Sequence, residues 1–462
     1  MNRYPRDTFF GVTVFLVIVA GAVADPLMRT VTASRPSSPR TAPITVATLF
    51  CPPPLRSGRS TERIVIAAAS DSKTTLGIEA IEARRRELRP GRLSTTTFRG
   101  DAPPVDVVGY GGELDAYVAQ TFKRPVGGSA SARCAPQAAT DWYFPSGSTA
   151  LNSDERLIVY NPFPEDAVVT ITLYGPRGRS NKANLANIPI AGKASIGIQL
   201  NDFVPTRGFV SASVHAERGR VVAWKVLVHG GKEVSGAEMT LGANEASDIW
   251  YFPEGGVGSG IEEAISVINP GDAEALVTVS LVTARETVQP PKLVDVVVPP
   301  LSSRRISFSE RVGGSQSRLG GVGAIVRTTN GVPIVAERTL RYEGGTLDGV
   351  SSEIGIPTTG RLWRLGPAAA SPDNDALVVI NADAAAVTLD IRLLQVDRGP
   401  RSPGALQGIR VPAGGRFKVP LATWTGGIPM VAEISASGEI VAERVSYSTG
   451  AADVGALMGT PF

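Results

Sequence analysis

Carboxylates that recur at a fixed distance from a tryptophan are the residues of this sequence best placed to do chemistry. Glu155 lies 13 residues after Trp142, Glu263 lies 13 after Trp250, and Asp375 lies 12 after Trp363. A second set opens the pairs Glu337-Arg338 and Glu443-Arg444. Two carboxyl groups held about 5–10 Å apart can act as the acid and base of glycoside hydrolysis. Repetition argues against that use, because an active site is needed once whereas a structural contact is needed in every copy. Both sets are therefore read as scaffold; no catalytic residue is assigned, and no enzyme is expected. His215 and His229, the only histidines, are 14 apart in different expected strands with no cysteine nearby, so neither metal ligation nor a histidine triad is expected. The run Gly255 to Gly260 lacks a P-loop lysine and dinucleotide spacing, which leaves no cofactor implied.

The elements that must position these residues are announced by the same repetition. Trp142-Tyr143-Phe144-Pro145 recurs as Trp250-Tyr251-Phe252-Pro253, with Asn161-Pro162 and Asn269-Pro270 each beginning 19 residues after the Trp. A worn copy runs from Trp363 to Asn381-Ala382. The spacings, 250 − 142 = 108 and 363 − 250 = 113, are the size of a small β domain. Val335-Ala336-Glu337-Arg338 and Val441-Ala442-Glu443-Arg444 close their copies, each followed by a Tyr (Tyr342, Tyr447), while Trp224-Lys225 replaces Glu-Arg in the copy before. On a strand, Glu and Arg point to opposite faces, so the Arg must find its partner elsewhere, with Glu263 or Asp375 as candidates.

With 50 Gly and 35 Pro punctuating short Val, Ile and Thr runs, the 462 residues read as an all-β chain. The 46 Lys and Arg are scattered and matched by 43 Asp and Glu, which gives no reason to invoke nucleic acid. Six or more short strands per copy argue for a tandem array of immunoglobulin-like antiparallel sandwiches. The expected modules are 44–140, a divergent first copy, then 141–248, 249–360 and 361–462. In the first, Ile78 to Arg89 is rich in helix formers although repeat position demands a strand.

Ahead of the modules, Arg3 and Arg6 precede an uncharged run from Thr8 to Ala24. That layout directs export, as a retained transmembrane anchor in preference to a signal peptide cut after Ala22-Val23-Ala24. Residues 26–43, rich in Pro, Ser and Arg, read as a linker. In an exported chain Cys51 and Cys134 are expected to form one disulfide.

The aromatic-Pro opening, the acidic residue before a strand ending in Asn-Pro, and the final Pro-Ile-Val-Ala-Glu-Arg with Tyr together resemble an uncharacterised actinobacterial envelope family, the domain-of-unknown-function family 5719. The resemblance implies an exported, often membrane-anchored β-repeat protein without an established activity or catalytic residues, and it hints at envelope glycan assembly. The expectation is a non-enzymatic scaffold or interaction protein of the cell envelope, single-pass, with its body outside the cytoplasm and an envelope protein or glycan as partner. The alternative is a wall-glycan-binding protein or an accessory subunit of a glycan-assembly glycosyltransferase. Trp142, Trp250 and Trp363 are expected in cores or joints, and Trp424, outside the pattern, is the candidate ligand contact.

Overall fold

A computed structural model describes residues 46–462 apart from 54–59, 70–73, 80–81, 89–92, 99–103, 111–113, 123–128, 232–234, 313–319, 344–347, 369–373, 396–397, 427, 429 and 448–453. The expected N-terminal anchor and the 26–43 linker lie outside the described residues. Among the described residues no helix is long and apolar enough to cross a membrane.

The chain is all-β, with several antiparallel sheets. Its first repeat has β1 (Val46–Cys51), β2 (Ser60–Ala69), β3 (Thr74–Glu79), β4 (Glu82–Leu88), β5 (Leu93–Phe98), β6 (Val105–Tyr110), β7 (Asp115–Phe122) and β8 (Ser129–Arg133). The second has β9 (Asp141–Phe144), β10 (Ser153–Tyr160), β11 (Ala167–Gly175), β12 (Gly178–Asn181), β13 (Ile188–Ile190), β14 (Ser195–Gln199), β15 (Ser211–Arg218), β16 (Val222–Gly230) and β17 (Ser235–Leu241). The third has β18 (Ile249–Phe252), β19 (Gly256–Val257), β20 (Ile261–Asn269), β21 (Ala275–Val282), β22 (Thr287–Val288), β23 (Val296–Val298), β24 (Ser302–Ser307), β25 (Gly320–Gly321), β26 (Gly323–Thr328), β27 (Val335–Tyr342) and β28 (Gly349–Ile354). The fourth has β29 (Gly360–Leu365), β30 (Asn374–Asn381), β31 (Val387–Leu394), β32 (Ile409–Val411), β33 (Arg416–Pro420), β34 (Val431–Tyr447), β35 (Val454–Met458) and β36 (Thr460–Pro461).

One pairing plan serves all four repeats. In the first, the sheets run β1-β6-β3-β4 and β5-β2-β7-β8; in the second, β9-β15-β11-β12 and β14-β10-β16-β17; in the third, β18-β26-β21-β22 and β24-β20-β27-β28. The fourth keeps both ladders but fuses them, because β34 is continuous: Val431–Ala436 pairs with β31 and Ile440–Tyr447 with β30. Two separate strands are expected there from the sequence, as in the earlier copies. The alternation along β11 shows why such segments form half-buried strands: Val169, Ile171 and Leu173 face the core while Val168, Thr170 and Thr172 face outward. Of the stretch Ile78 to Arg89, the described residues lie on the antiparallel pair β3 and β4, with Thr75 opposite Glu87 and Leu76 opposite Arg86. Ladder pairing there overrides helix propensity, which is worth only tenths of a kcal/mol per residue.

The repeated letters occupy repeated places. Trp142, Trp250 and Trp363 are buried, and the indole N–H of Trp142 donates to the Val221 carbonyl at 2.8 Å as that of Trp250 does to Ile334 at 2.8 Å. Trp363 instead donates to Gly360 at 3.0 Å, the residue paired with Ile440 at the matching rung. Asn161, Asn269 and Asn381 form one identical staple. Each carboxamide oxygen accepts the N–H two residues on, and each NH2 reaches the carbonyl four residues on plus the end of a neighbouring strand, at Ile190, Val298 and Val411 respectively. That arrangement fixes the turn and satisfies a buried amide at once.

The Cys51–Cys134 disulfide is formed, with Cα atoms 4.3 Å apart. Its location follows from the repeat. Cys134 sits one residue before the bridge Phe50–Ala135, as Gly242 does before Tyr143–Ala243 and Gly355 before Tyr251–Ile356. In repeats 2 and 3 that glycine lies under a ring: a Cβ on Gly242 would stand 2.7 Å from Phe144, and one on Gly355 2.6 Å from Phe252. Where two copies pack Phe on Gly, the divergent copy closes the same gap covalently.

Replacing Gly355 with Ala should therefore destabilise the chain by about 1–3 kcal/mol through overpacking. Adding Phe252→Leu should recover part of that loss, read as urea midpoints. A Gly355→Ala midpoint equal to that of the unaltered chain would contradict the assignment.

Candidate functional site

The repeated acids and bases form joints between repeats. Tyr117, Trp224, Glu337 and Glu443 are equivalent by register: each stands opposite the residue just before Cys134, Gly242, Gly355 or Gly459 (Arg133, Leu241, Ile354 and Met458). Each reaches the repeat before its own. Glu337 accepts the Ser146 N–H at 2.8 Å and pairs with Lys225; Glu443 accepts the Glu254 N–H at 2.8 Å and both terminal nitrogens of Arg338, at 2.9 and 2.6 Å. Trp224 shares a core with Phe122, Ala130 and Ala132 of the first repeat. The Tyr117 hydroxyl donates to the Arg364 carbonyl of the fourth at 3.1 Å, beside the Arg364–Asp115 pair at 2.5 Å. Correspondingly, β8, β17, β28 and β35 neighbour one another in cyclic order, so the four repeats close on themselves.

These contacts correct one expectation and refine another. Arg444 does pair with Asp375, at 2.5 Å, but the partner of Arg338 is Glu443 in the following repeat and not Glu263. Asp375 is one methylene shorter than Glu, and its Arg444 turns back to it and to the carbonyls of Leu365 and Gly366. Tyr342 and Tyr447 are one residue out of step, opposite Ile261 and Asn374, hence on opposite strand faces. That offset lets them meet edge to face, with ring centroids 5.8 Å apart.

Glu155 and Glu263 are fully enclosed beneath Gly147 and Gly255, where a Cβ would collide with their carboxylates. Burial pushes both carboxyls up to about 8, partly opposed by Lys225 for Glu155 and by Arg338 for Glu263. Glu254 goes the other way. Burial raises it, but Arg416, Lys418 and the Tyr447 hydroxyl outweigh that and hold it below the usual carboxylate range.

A polar constellation in the second repeat has no counterpart in the third. Ser153 opens β10 and lies directly opposite His229 on β16; its Oγ is 3.0 Å from His229 Nδ1. On the far side of the ring, His229 Nε2 is 3.3 Å from Glu238 Oε1, on β17. In the third repeat the same three register positions hold Ile261, Tyr342 and Ser351. In the tautomer with its proton on Nε2, the ring donates to Glu238 and Nδ1 accepts from the serine hydroxyl. The trio lines a cleft of about 710 Å³ between repeats 2 and 3, whose other wall carries Glu262, Arg305 and Arg341. Glu262 pairs with Arg305 at 3.0 Å and with Arg341 at 3.5 Å, and Leu151 stands exposed at the rim.

His215 is an exposed cross-strand partner of Asp141, at 2.8 Å. Trp424, the expected ligand contact, is half-buried and packs against the core of the last two repeats. Among the described residues no group of three His, Cys, Asp or Glu could hold a metal ion. Sequence reasoning missed Ser153 and Glu238 because only the strand register brings them to His229. The available signal was that His229 stands where the next copy has a Tyr.

A family described as "Family of unknown function (DUF5719)" matches residues 113–310, so the resemblance drawn from the sequence holds over that stretch. No curated protein matches the chain. A solved structure, the crystal structure of Thermotoga maritima 1070, is similar at 21% identity over 24% of this chain and 97% of its own, with a TM-score of 0.21.

Two outcomes are expected. Lys225→Met strands the buried Glu337 carboxylate and should cost about 3–5 kcal/mol, much of it regained when Glu337→Gln is added; a double variant no better than the single one in urea unfolding would refute the joint. The raised carboxyls of Glu155 and Glu263 favour the folded state fully below the ordinary carboxylate range, and that contribution is lost as pH rises through about 8. The melting temperature should thus fall between pH 5 and 9, and Glu155→Gln with Glu263→Gln should flatten that fall.

Proposed function

We propose that this chain is an exported, membrane-tethered interaction scaffold of the cell envelope, whose recurring residues serve shape and whose repeats are locked into one body. The carrying observation is the set of four reach-over contacts at Tyr117, Trp224, Glu337 and Glu443, of which the last two use the repeated charges for joining. The Cys51–Cys134 disulfide supports export, since such bonds persist in oxidising compartments. In this reading residues 8–24 anchor the chain and 26–43 carry the body away from the bilayer. The expected modules 44–140, 141–248, 249–360 and 361–462 are its structural units.

Each unit is, in this reading, an immunoglobulin-like sandwich with its outer strands exchanged. In the immunoglobulin plan the first strand lies beside the second and the last beside the sixth. Here β9 lies beside β15 and β16 beside β10, while the central pairs β10–β14 and β11–β15 follow the familiar plan. The alternative, a wall-glycan-binding protein or an accessory subunit of a glycan-assembly glycosyltransferase, needs an exposed recognition surface. The aromatic and apolar groups around Phe417, Trp424 and Ile428 are its best residues.

The decisive measurement is thiol trapping in intact cells. With alkylating reagent added before lysis and no reductant, Cys51 and Cys134 should be protected, and external protease should degrade the membrane-fraction protein. Alkylated cysteines in a protease-protected protein would defeat the exported scaffold.

A further inference from the structure

Repetition discharges the repeated acids from chemistry, and it does not reach the polar trio of Ser153, His229 and Glu238, whose positions in the third repeat hold Ile261, Tyr342 and Ser351. We propose that Ser153 is a nucleophile for hydrolysis of a small carboxylic ester bound in the cleft between repeats 2 and 3, with His229 as its general base and Glu238 as the positioning residue. This goes beyond the scaffold reading and does not depend on it.

Four observations carry the assignment. The hydroxyl, imidazole and carboxylate are in line, at 3.0 Å and 3.3 Å, through the two opposite nitrogens of one ring. All three groups line a single cleft, about 710 Å³ in volume, which suits a small ligand. Ser153 is partly exposed to it, whereas His229 and Glu238 are buried at 9% and 4%, so the relay is shielded and its outer end is open. Arg305 and Arg341, both ion-paired to Glu262 and Arg341 also to Glu343, carry guanidinium groups on the facing wall, which suits a ligand with a polar end.

The chemistry balances without any further reagent. Ser153 Oγ bonds to the acyl carbon as its proton passes to His229 Nδ1, and the carbonyl π pair moves onto oxygen. Collapse of that adduct expels the alcohol oxygen, which takes the proton from Nδ1 and leaves an acyl-serine. Water, deprotonated by the same nitrogen, then releases the acid and restores the hydroxyl. The ester and one water become an acid and an alcohol.

The test uses the full chain and a fluorescent alkyl fluorophosphonate, which forms a serine–phosphorus bond and releases fluoride. Labelling of the unaltered protein should be confined to the peptide carrying Ser153, absent in Ser153→Ala, and slowed about 100-fold or more in His229→Gln, the usual range for loss of a general base. Glu238→Gln should slow labelling with the melting temperature unchanged, and Glu238→Asp should restore part of the rate, which a purely structural role would not produce. Peptide mapping on the unaltered protein needs no variant to fold. No label, label on another serine, or label on Ser153 at an equal rate in folded His229→Gln would each overturn the proposal.

Discussion

A buried base paired directly with an acid of the next repeat is the constraint on which this structure depends. Lys225, Arg338, Glu337 and Glu443 have no access to water, and ions so placed cost several kcal/mol unless paired and hydrogen-bonded. Because Glu and Arg alternate on a strand, neither can answer the other. The third and fourth repeats therefore each send a Glu back to the base of the repeat before, Glu337 to Lys225 and Glu443 to Arg338. Backbone N–H groups at Ser146 and Glu254 complete the coordination, which fixes the orientation of each joint as well as its proximity.

The four joints share a position and differ in substance. Tyr117 and Trp224 fill theirs with rings, whereas Glu337 and Glu443 fill theirs with charge. One register thus tolerates two kinds of contact. The first repeat shows the same freedom in its disulfide, which stands where later copies press Phe144 on Gly242 and Phe252 on Gly355. Geometry persists across the copies while its chemistry is exchanged.

Much of this was legible in the letters. The Trp, Asn-Pro and Val-Ala-Glu-Arg spacings marked equivalent sites, and alternation such as Thr170-Ile171-Thr172-Leu173 marked half-buried strands. The partner of Arg338 was not legible, because it lies 105 residues away in another copy and periodicity says nothing about what faces what between copies. The contact of Ser131 with Ala368, 237 residues apart, was hidden for the same reason. Helix propensity misled at Ile78 to Arg89, where neighbouring strands decide. Ser153, His229 and Glu238 escaped notice because two cross-strand adjacencies, not one motif, assemble them.

Cyclic closure also sets an order of events for a newly made chain. Strand β8 leaves the ribosome, and any export channel, long before β35, the neighbour it needs, with some three hundred intervening residues still to come. Until Met458 has emerged, the leading repeat carries an unsatisfied flank, and long-separation contacts of this kind assemble slowly. A covalent bond confined to that leading repeat is therefore well placed: Cys51 and Cys134 can brace the part that must wait longest for its neighbour.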